Sequence, residues 1–170
     1  MKRYLLLALL SVITLTLAAQ EKEQKSKREI RAENNAKIAA KVDSLIEAKN
    51  FRFIARSANP MGWSSISLTS EYDLLINGDS VKVDLPYYGR AYRADYMATE
   101  GGIKLKNTVA EDFVIDQKKK QYQVNFKARS NDDLYQFRLS VSSSGYGTLS
   151  VTCNNRQSIS FNGILDGLGL

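Results

Sequence analysis

The feature that most constrains the fold is a change of hydrophobic period at Asn50. From there to the end of the chain, apolar and polar residues alternate in short runs, which is typical of β-strands that bury one face. The most specific local signal is Asn77-Gly78, because both residues tolerate the positive φ of a two-residue hairpin turn. Alternating residues flank this turn at 72–76 and 81–85, and further strand-forming runs lie at 103–106, 113–116, 121–129, 134–142, 147–153 and 158–164.

The connections between these runs are short and consist of turn-forming residues such as Gly, Asn, Ser and Asp. Strands joined in this way must be antiparallel neighbours, because a parallel connection needs a crossover of about a dozen residues or more. A flat sheet of this size would leave long exposed edges, which antiparallel proteins avoid by curling the sheet. The sequence therefore predicts a mainly β protein, an antiparallel meander of roughly 8 to 10 strands curled into a lipocalin-like, partly open barrel.

The segment before the alternating region predicts one N-terminal helix. Residues 20–50 contain no Gly or Pro and are rich in Glu, Lys, Arg and Ala, which are good helix formers. Their apolar residues form a stripe that strengthens toward the C-terminal end, so we expect a frayed start and a docked end. Asn50 is expected to end the helix in the left-handed conformation. The predicted organisation is a signal peptide at 1–19, a charged helix at 20–50 and a single β domain at 51–170.

The first residues predict export. Lys2 and Arg3 form a basic start, an apolar run follows from Tyr4 to Leu17, and Ala18 and Ala19 provide a small-residue cleavage site. The apolar run is shorter than the roughly 20 residues that a membrane-spanning helix needs. We therefore expect a periplasmic or extracellular protein that does not span the membrane after signal cleavage.

An outer-membrane barrel is the alternative arrangement for an exported chain of alternating strands. A spanning strand needs about 9 to 11 residues, whereas the predicted strands 103–106 and 113–116 are much shorter. Aromatic residues also do not recur at the strand ends, as they do in the interface girdles of such barrels. The sequence favours the barrel that does not cross the membrane.

The residues that the chain lacks limit the chemistry it can perform. There is no histidine and one cysteine, Cys153, which excludes Ser-His triads, most zinc sites and thiolate metal cages. Phosphate loops and dinucleotide glycine fingerprints are also missing. The carboxylate pairs Asp112 with Asp116 and Asp132 with Asp133 are explained by turn chemistry. We expect a non-enzymatic protein without a catalytic residue, metal or cofactor, in which Cys153 is buried on the inner face of a strand.

The segment 84–96 has the most unusual composition in the chain, because it holds four of the nine tyrosines. Tyrosine rings with guanidinium groups between them can stack on flat ligands and bind anions. The candidate ligand-binding residues are Tyr87, Tyr88, Arg90, Tyr92, Arg93, Tyr96 and, from another turn, Trp63. In the alternative interpretation, the tyrosines plug one end of the barrel while Arg90 and Arg93 pair with Asp84 and Asp95.

Two kinds of partner follow from these features. A small barrel can hold a small-molecule or lipid-like ligand inside or at its tyrosine-rich rim. Alternatively, the charged helix or an exposed sheet edge binds another protein. Nucleic acid is not expected, because the net charge of +6 falls by two when the leader carrying Lys2 and Arg3 is removed, and basic and acidic residues are interspersed.

The run Leu-Pro-Tyr-Tyr-Gly-Arg-Ala-Tyr at 85–92 resembles the signature of the DUF4251 family, a domain of unknown function in small exported proteins of Gram-negative bacteria. The similarity extends over most of the chain after the leader, from Phe51 and Phe53 through the Asn77-Gly78 turn to the segment between Arg156 and Gly163. The resemblance implies a compact, mainly β domain behind a signal peptide. It implies no catalytic residue, ligand or cofactor.

Overall fold

The computed structural model describes residues 26–92, 102–118, 121–130 and 133–167. A helix, α1, covers residues 26–47. Nine strands follow it: β1 (Asn50–Pro60), β2 (Ile66–Asn77), β3 (Ser80–Leu85), β4 (Ile103–Val109), β5 (Glu111–Lys118), β6 (Gln121–Ser130), β7 (Asp133–Ser142), β8 (Tyr146–Thr152) and β9 (Ile159–Leu165). The predicted fold class, one helix followed by a mainly β region, is confirmed. The predicted signal peptide at 1–19 lies outside the described residues.

The strands form one sheet in the order β4-β3-β2-β1-β9-β8-β7-β6-β5. Every neighbouring pair is antiparallel. The chain therefore makes two meanders, β1 to β4 and β5 to β9, and the first and last strands pair to join them. The result is a nearly closed barrel.

The two edge strands, β4 and β5, are adjacent in sequence and separated only by Ala110. Directions alternate along an antiparallel sheet, so the two edges of a nine-stranded sheet run the same way and cannot pair antiparallel with each other. Instead, β4 pairs with β3 and β5 pairs with β6. Asn107 (φ 49°) and Asp112 (φ 52°) flank Ala110 in the left-handed region, where the chain passes from one pairing to the other. The covalent chain thus links the two edges.

The inward faces of the strands form one apolar core. Twenty-six of the described hydrophobic residues are buried, and no polar or charged residue of the described chain is. Aromatic rings inside the barrel pack directly against one another: the stacked rings of Phe126 and Phe137 have centroids 4.8 Å apart. A Cβ added at Gly163 would lie 2.8 Å from Cζ of Phe53. Where these rings lie, the protein's own side chains occupy the interior of the barrel.

The second half of α1 docks at one end of the barrel, which we call the helix end. Val42 and Ile46 are fully buried in the core, and the Lys41 ammonium donates to the carbonyl of Gly167. The docked C-terminal end of the helix is thereby confirmed. Lys49, with φ 48°, takes the left-handed conformation instead of Asn50, which already belongs to β1.

The chain divides into two compact units between Lys37 and Ile38. In the first unit, residues 26–37 are exposed, and Lys37 pairs with Glu33 one helical turn away at 2.7 Å. The second unit holds the rest of α1 and the barrel. No helix in the described parts of the chain is long and apolar enough to cross a membrane.

Candidate functional site

Three connections meet at the end of the barrel opposite the helix end, which we call the tyrosine end. They are residues 61–65 between β1 and β2, residues 86–92 after β3, and residues 153–158 between β8 and β9. They lie together because β1, β3 and β8 all run toward this end. The topology therefore brings Trp63, the tyrosine segment and Cys153 to one end of the molecule.

The tyrosine segment leaves the sheet and pairs with the connection between β8 and β9. The amide of Tyr92 donates to the carbonyl of Asn155 at 2.8 Å, and the amide of Gln157 donates to the carbonyl of Arg90 at 3.0 Å. Gly89, at φ 153°, lets the chain fold back, because a Cβ there would lie 2.8 Å from the Tyr87 hydroxyl oxygen. The segment 86–92 is thus anchored across this end of the barrel.

Tyr87 is the residue that fastens this segment. Its half-buried ring packs against the core, and its hydroxyl oxygen lies 2.9 Å from the carbonyl of Arg90 and 3.1 Å from that of Gln157. The Arg156 guanidinium sits over the ring, 5.1 Å from its centroid, and donates to the carbonyl of Gly102 at 2.9 Å. Burial raises the pKa of the Tyr87 hydroxyl, and the nearby Cys153 contributes to the same shift to a smaller extent. This tyrosine has a structural role.

Arg156, to which the sequence analysis assigned no role, makes the structural contacts that one interpretation gave to Arg90. The predicted pairing of Arg90 with Asp84 does not form: its guanidinium is exposed and makes no ion pair with any residue that the structure describes. Asp95, the other carboxylate considered, lies outside those residues. Arg156 holds the segment instead. It lies in a turn without hydrophobic period, so the similarity to the DUF4251 signature region was the one sequence signal for it.

The remaining candidate residues differ in exposure. Tyr88 is half-buried and packs against the core. Tyr92 is 68% exposed and Trp63 is 70% exposed. Trp63 is held on its own turn by an amide hydrogen bond to the carbonyl of Pro60 at 3.4 Å. Arg93 and Tyr96 lie outside the described residues.

Cys153 packs at the same end of the barrel. Strand β8 ends at Thr152, so Cys153 follows the strand and is half-buried, which differs from the expected position on a strand's inner face. Burial, and then the carboxylate of Asp133, raise the pKa of its thiol. Because the thiolate is the nucleophilic form, this environment makes Cys153 a poor nucleophile.

One of the carboxylates considered as catalytic candidates is held in an ion pair. Asp112 pairs with Lys127 at 2.7 Å, and this pair raises the pKa of the lysine. Asp132 lies outside the described residues, so its pairing with Asp133 is not visible. Within 26–92, 102–118, 121–130 and 133–167, no group of three Asp, Glu, Cys or His residues is arranged to hold a metal ion.

A polar contact at the helix end was not anticipated from the sequence. The Tyr122 hydroxyl donates to Oδ1 of Asp43 on α1 at 2.8 Å and accepts from Nε2 of Gln117 at the same distance. Burial, together with the neighbouring Asp43 carboxylate, raises the pKa of Tyr122 to about 12. This contact ties the helix to the barrel, so one end is closed by a docked helix while aromatic side chains are exposed at the other.

A family model for a domain of unknown function, DUF4251, matches residues 32–165. The chain belongs to the DUF4251 family. The match spans most of α1 and all nine strands, which confirms the predicted resemblance to this family.

A solved structure shares the fold of this DUF4251 protein. The crystal structure of a DUF4251 family protein from Bacteroides eggerthii DSM 20697 superposes with a TM-score of 0.57 at 16% sequence identity, covering 75% of this chain and 86% of that chain. No curated protein matches the sequence significantly.

Proposed function

We propose that this DUF4251 protein is a non-enzymatic binding protein of the periplasm or the extracellular space that takes its ligand at the tyrosine end. The observation that carries the proposal is the exposure of two large aromatic side chains there, Trp63 and Tyr92, at 70% and 68%. A ligand that covers these rings would gain about 25 cal/mol for each Å² of apolar surface removed from water.

The packed interior favours this end over a site inside the barrel. Ligand-carrying barrels leave a cavity between their inward side chains. Here the ring of Phe53 reaches the backbone of β9, and Phe113, Phe126 and Phe137 form a stack with centroids 5.7 Å and 4.8 Å apart. A ligand inside would have to displace this core, whereas a ligand at the rim would not.

The anchoring of segment 86–92 supports binding at the rim. Its hydrogen bonds to Asn155 and Gln157 hold Arg90 and Tyr92 in place before any ligand arrives, and preorganisation of this kind reduces the entropy lost on binding. An exposed guanidinium and exposed rings at the same end of the barrel suit a small-molecule or lipid-like ligand that has a flat or apolar body and an anionic group.

The test uses Trp63 as a built-in reporter, because it is the only tryptophan of the chain. Protein purified from its own host is examined by native mass spectrometry for a bound molecule, and a lipid extract of that host is titrated against Trp63 fluorescence. We expect the extract to shift the Trp63 emission of the unmodified protein. Tyr92→Ala or Arg90→Ala should weaken the affinity measured from this shift about tenfold.

Val109→Ala is the matched control, because Val109 is an equally exposed apolar residue at the helix end. It should titrate like the unmodified protein. The proposal fails if no molecule co-purifies and the Trp63 emission does not respond to the extract.

A second function is favoured by one observation on the helix. Ile30 is 55% exposed, within the stretch 26–37 in which every residue is exposed. A protein partner that covers this residue would explain why it is apolar. Pull-down from host envelope extract with Ile30→Asp in the full chain tests this: loss of a partner supports docking through the helix, and an unchanged partner set contradicts it.

A further inference from the structure

The outer surface of the barrel has two halves of different chemistry. Strands β1 to β4 carry outward charges, and Arg52 alone pairs with Asp73 at 2.5 Å, Glu71 at 3.4 Å and Asp166 at 3.6 Å. Strands β6 to β9 present eleven outward residues with uncharged hydroxyl or amide groups: Gln121, Gln123, Asn125, Gln136, Ser140, Ser142, Thr148, Ser150, Thr152, Ser160 and Asn162. We call these eleven residues the neutral face.

Charge is confined to one residue within this face and to its margin. Arg138 lies inside it, and Lys127, Arg129 and Asp133 stand where β6 and β7 approach the tyrosine end. The uncharged polar groups are therefore contiguous across β6 to β9, whereas outward charges are spread along β1 to β4.

The sheet register arranges the hydroxyl and amide groups in rows across the strands. Gln123 pairs with Ser140, Ser140 with Thr148, and Thr148 with Asn162. Neighbouring strands are about 4.8 Å apart, so each row presents polar groups at a regular spacing comparable with the length of one sugar ring. An extended polyhydroxyl chain lying across the strands meets one such group per ring.

Many of these groups are free to bind. Within the part of the chain that the structure describes, the side chains of Gln123, Gln136, Ser150, Thr152 and Ser160 make no hydrogen bond. Others are already oriented by a neighbour: Thr148 donates to Oδ1 of Asn162 at 3.0 Å, and Arg138 donates through Nε to Oδ1 of Asn125 at 3.3 Å. Among the described residues, the neutral face thus contains side chains that are oriented by a hydrogen bond and side chains that make none.

Two depressions lie on this surface. One of about 470 Å³ is lined in part by Gln121, Ser140, Ser142, Thr148 and Asn162, together with Arg56, Tyr146 and Ile164. Tyr146 is 58% exposed, so its ring is available for stacking. A second depression of about 240 Å³ is lined in part by Asn125, Gln136, Arg138, Ser150 and Thr152. Together they extend over all four strands.

The chemistry of the face selects one class of ligand. Phosphate or nucleic acid requires clustered Arg and Lys, which the neutral face does not present. A protein interface requires a desolvated apolar or aromatic centre, whereas the large ring here, Tyr146, stands at the margin. We propose that the neutral face binds an uncharged oligosaccharide, with hydroxyl and amide side chains hydrogen-bonding its hydroxyl groups and Tyr146 stacking on a sugar ring. This site is separate from the tyrosine end and does not depend on a ligand there.

The experiment titrates the full chain, labelled with ¹⁵N, with cellohexaose, xylohexaose, maltohexaose and mannohexaose, and with polygalacturonate as an anionic comparison. We expect at least one neutral hexaose to shift the amide resonances of β7 and β8, with a dissociation constant of about 1 mM or tighter. Tyr146→Ala and the double variant T148A/S150A should each weaken that binding about tenfold. Thr69→Ala, an exposed hydroxyl on β2, is the matched control and should bind normally.

Three outcomes would overturn the proposal. None of the neutral hexaoses shifts the β7 and β8 amides. Alternatively, only polygalacturonate binds, and Arg138→Ala abolishes that binding. Finally, a neutral hexaose binds but shifts only amides at the tyrosine end and is unaffected by T148A/S150A. Because the amide shifts locate the ligand, failure here leaves the proposed function at the tyrosine end unaffected.

Discussion

Arg90 and Arg156 lie on the two segments of one short antiparallel pairing, in which Ala91 is opposite Arg156, but their side chains have different surroundings. Arg156 stacks over Tyr87 and donates to Gly102, whereas the guanidinium of Arg90 is exposed. Arg156→Ala should lower the free energy of unfolding by about 1 to 3 kcal/mol, because a charged hydrogen bond and a cation–π contact are lost. Arg90→Ala should change it by no more than about 0.5 kcal/mol.

Urea denaturation of the two variants measures this difference. The alanine at position 90 serves as the control for charge removal at the same end of the barrel. Equal destabilisation by both substitutions would show that Arg90 has a structural partner after all.

Tyr122 makes stability depend on pH in a stated direction. In the unfolded chain the phenol ionises at its ordinary pKa of 10.0, whereas in the folded protein the pKa is raised to about 12. Between these values the unfolded state binds fewer protons, so the free energy of unfolding falls as the pH rises from about 10 to about 12. This contribution is fully present below pH 10.

Tyr122→Phe removes this term together with the hydrogen bonds to Asp43 and Gln117. We expect the variant to be less stable by about 1 to 3 kcal/mol near neutral pH. Its deficit relative to the unmodified protein should shrink as the pH rises above about 10. Urea titrations at several alkaline pH values test this, and a deficit that stays constant or grows would contradict the prediction.

Among the strands, β9 is tightly constrained at Gly163, where it crosses the most crowded part of the barrel. A Cβ there would collide with the carbonyl of Ile54 and approach the ring of Phe53 to 2.8 Å. Gly163→Ala should therefore cost about 3 kcal/mol, since the strand pair or the ring must shift.

Gly78→Ala in the β2–β3 turn isolates the effect of backbone conformation, because Gly78 has φ 61° and open space around it. It should cost about 1 kcal/mol, the strain of a left-handed residue with a side chain. Thermal unfolding of both variants ranks them, and a smaller loss at Gly163 than at Gly78 would mean that the crowding at β9 relaxes easily.

For the whole molecule, α1 offers a matched pair of isoleucines. Ile46 is fully buried and Ile30 is 55% exposed. Ile46→Ala should destabilise the entire barrel by about 2 to 5 kcal/mol, because it leaves a cavity in the shared core. Ile30→Ala should have an effect of no more than about 0.5 kcal/mol.

Two probes report whether the loss is global. Circular dichroism follows all backbone structure, and Trp63 fluorescence reports from the tyrosine end, far from Ile46 in the barrel. Coincident transitions for Ile46→Ala are expected for one cooperative core. A helix signal that melts before the Trp63 signal would show that α1 is a separate unit.

Local patterns determined much of this protein. The period-two alternation placed five strands, β3 and β6 to β9, within one residue of their observed bounds, because a half-buried strand must alternate whatever its partner. The predicted hairpin forms, but its turn lies one residue later than expected: Asn77 pairs with Ser80, and Gly78 and Asp79 are the central residues. The apolar half of the helix is the half that docks. The predicted strands 103–106 and 113–116 were too short, because Asn107, Asp112 and the polar residues around them interrupt the alternating pattern. The two strands nevertheless continue to either side of Ala110.

Only the tertiary structure decided how the sheet closes and which side chains meet at its ends. The pairing of β1 with β9 joins residues as far apart in the chain as Phe53 and Leu165, and no local preference encodes it. The choice of Arg156 over Arg90, the contact of Tyr122 with Asp43 and the need for glycine at 163 all follow from that closure. The neutral face is likewise a product of register, because the pairing of four consecutive strands, β6 to β9, brings its hydroxyl and amide groups into rows on one surface.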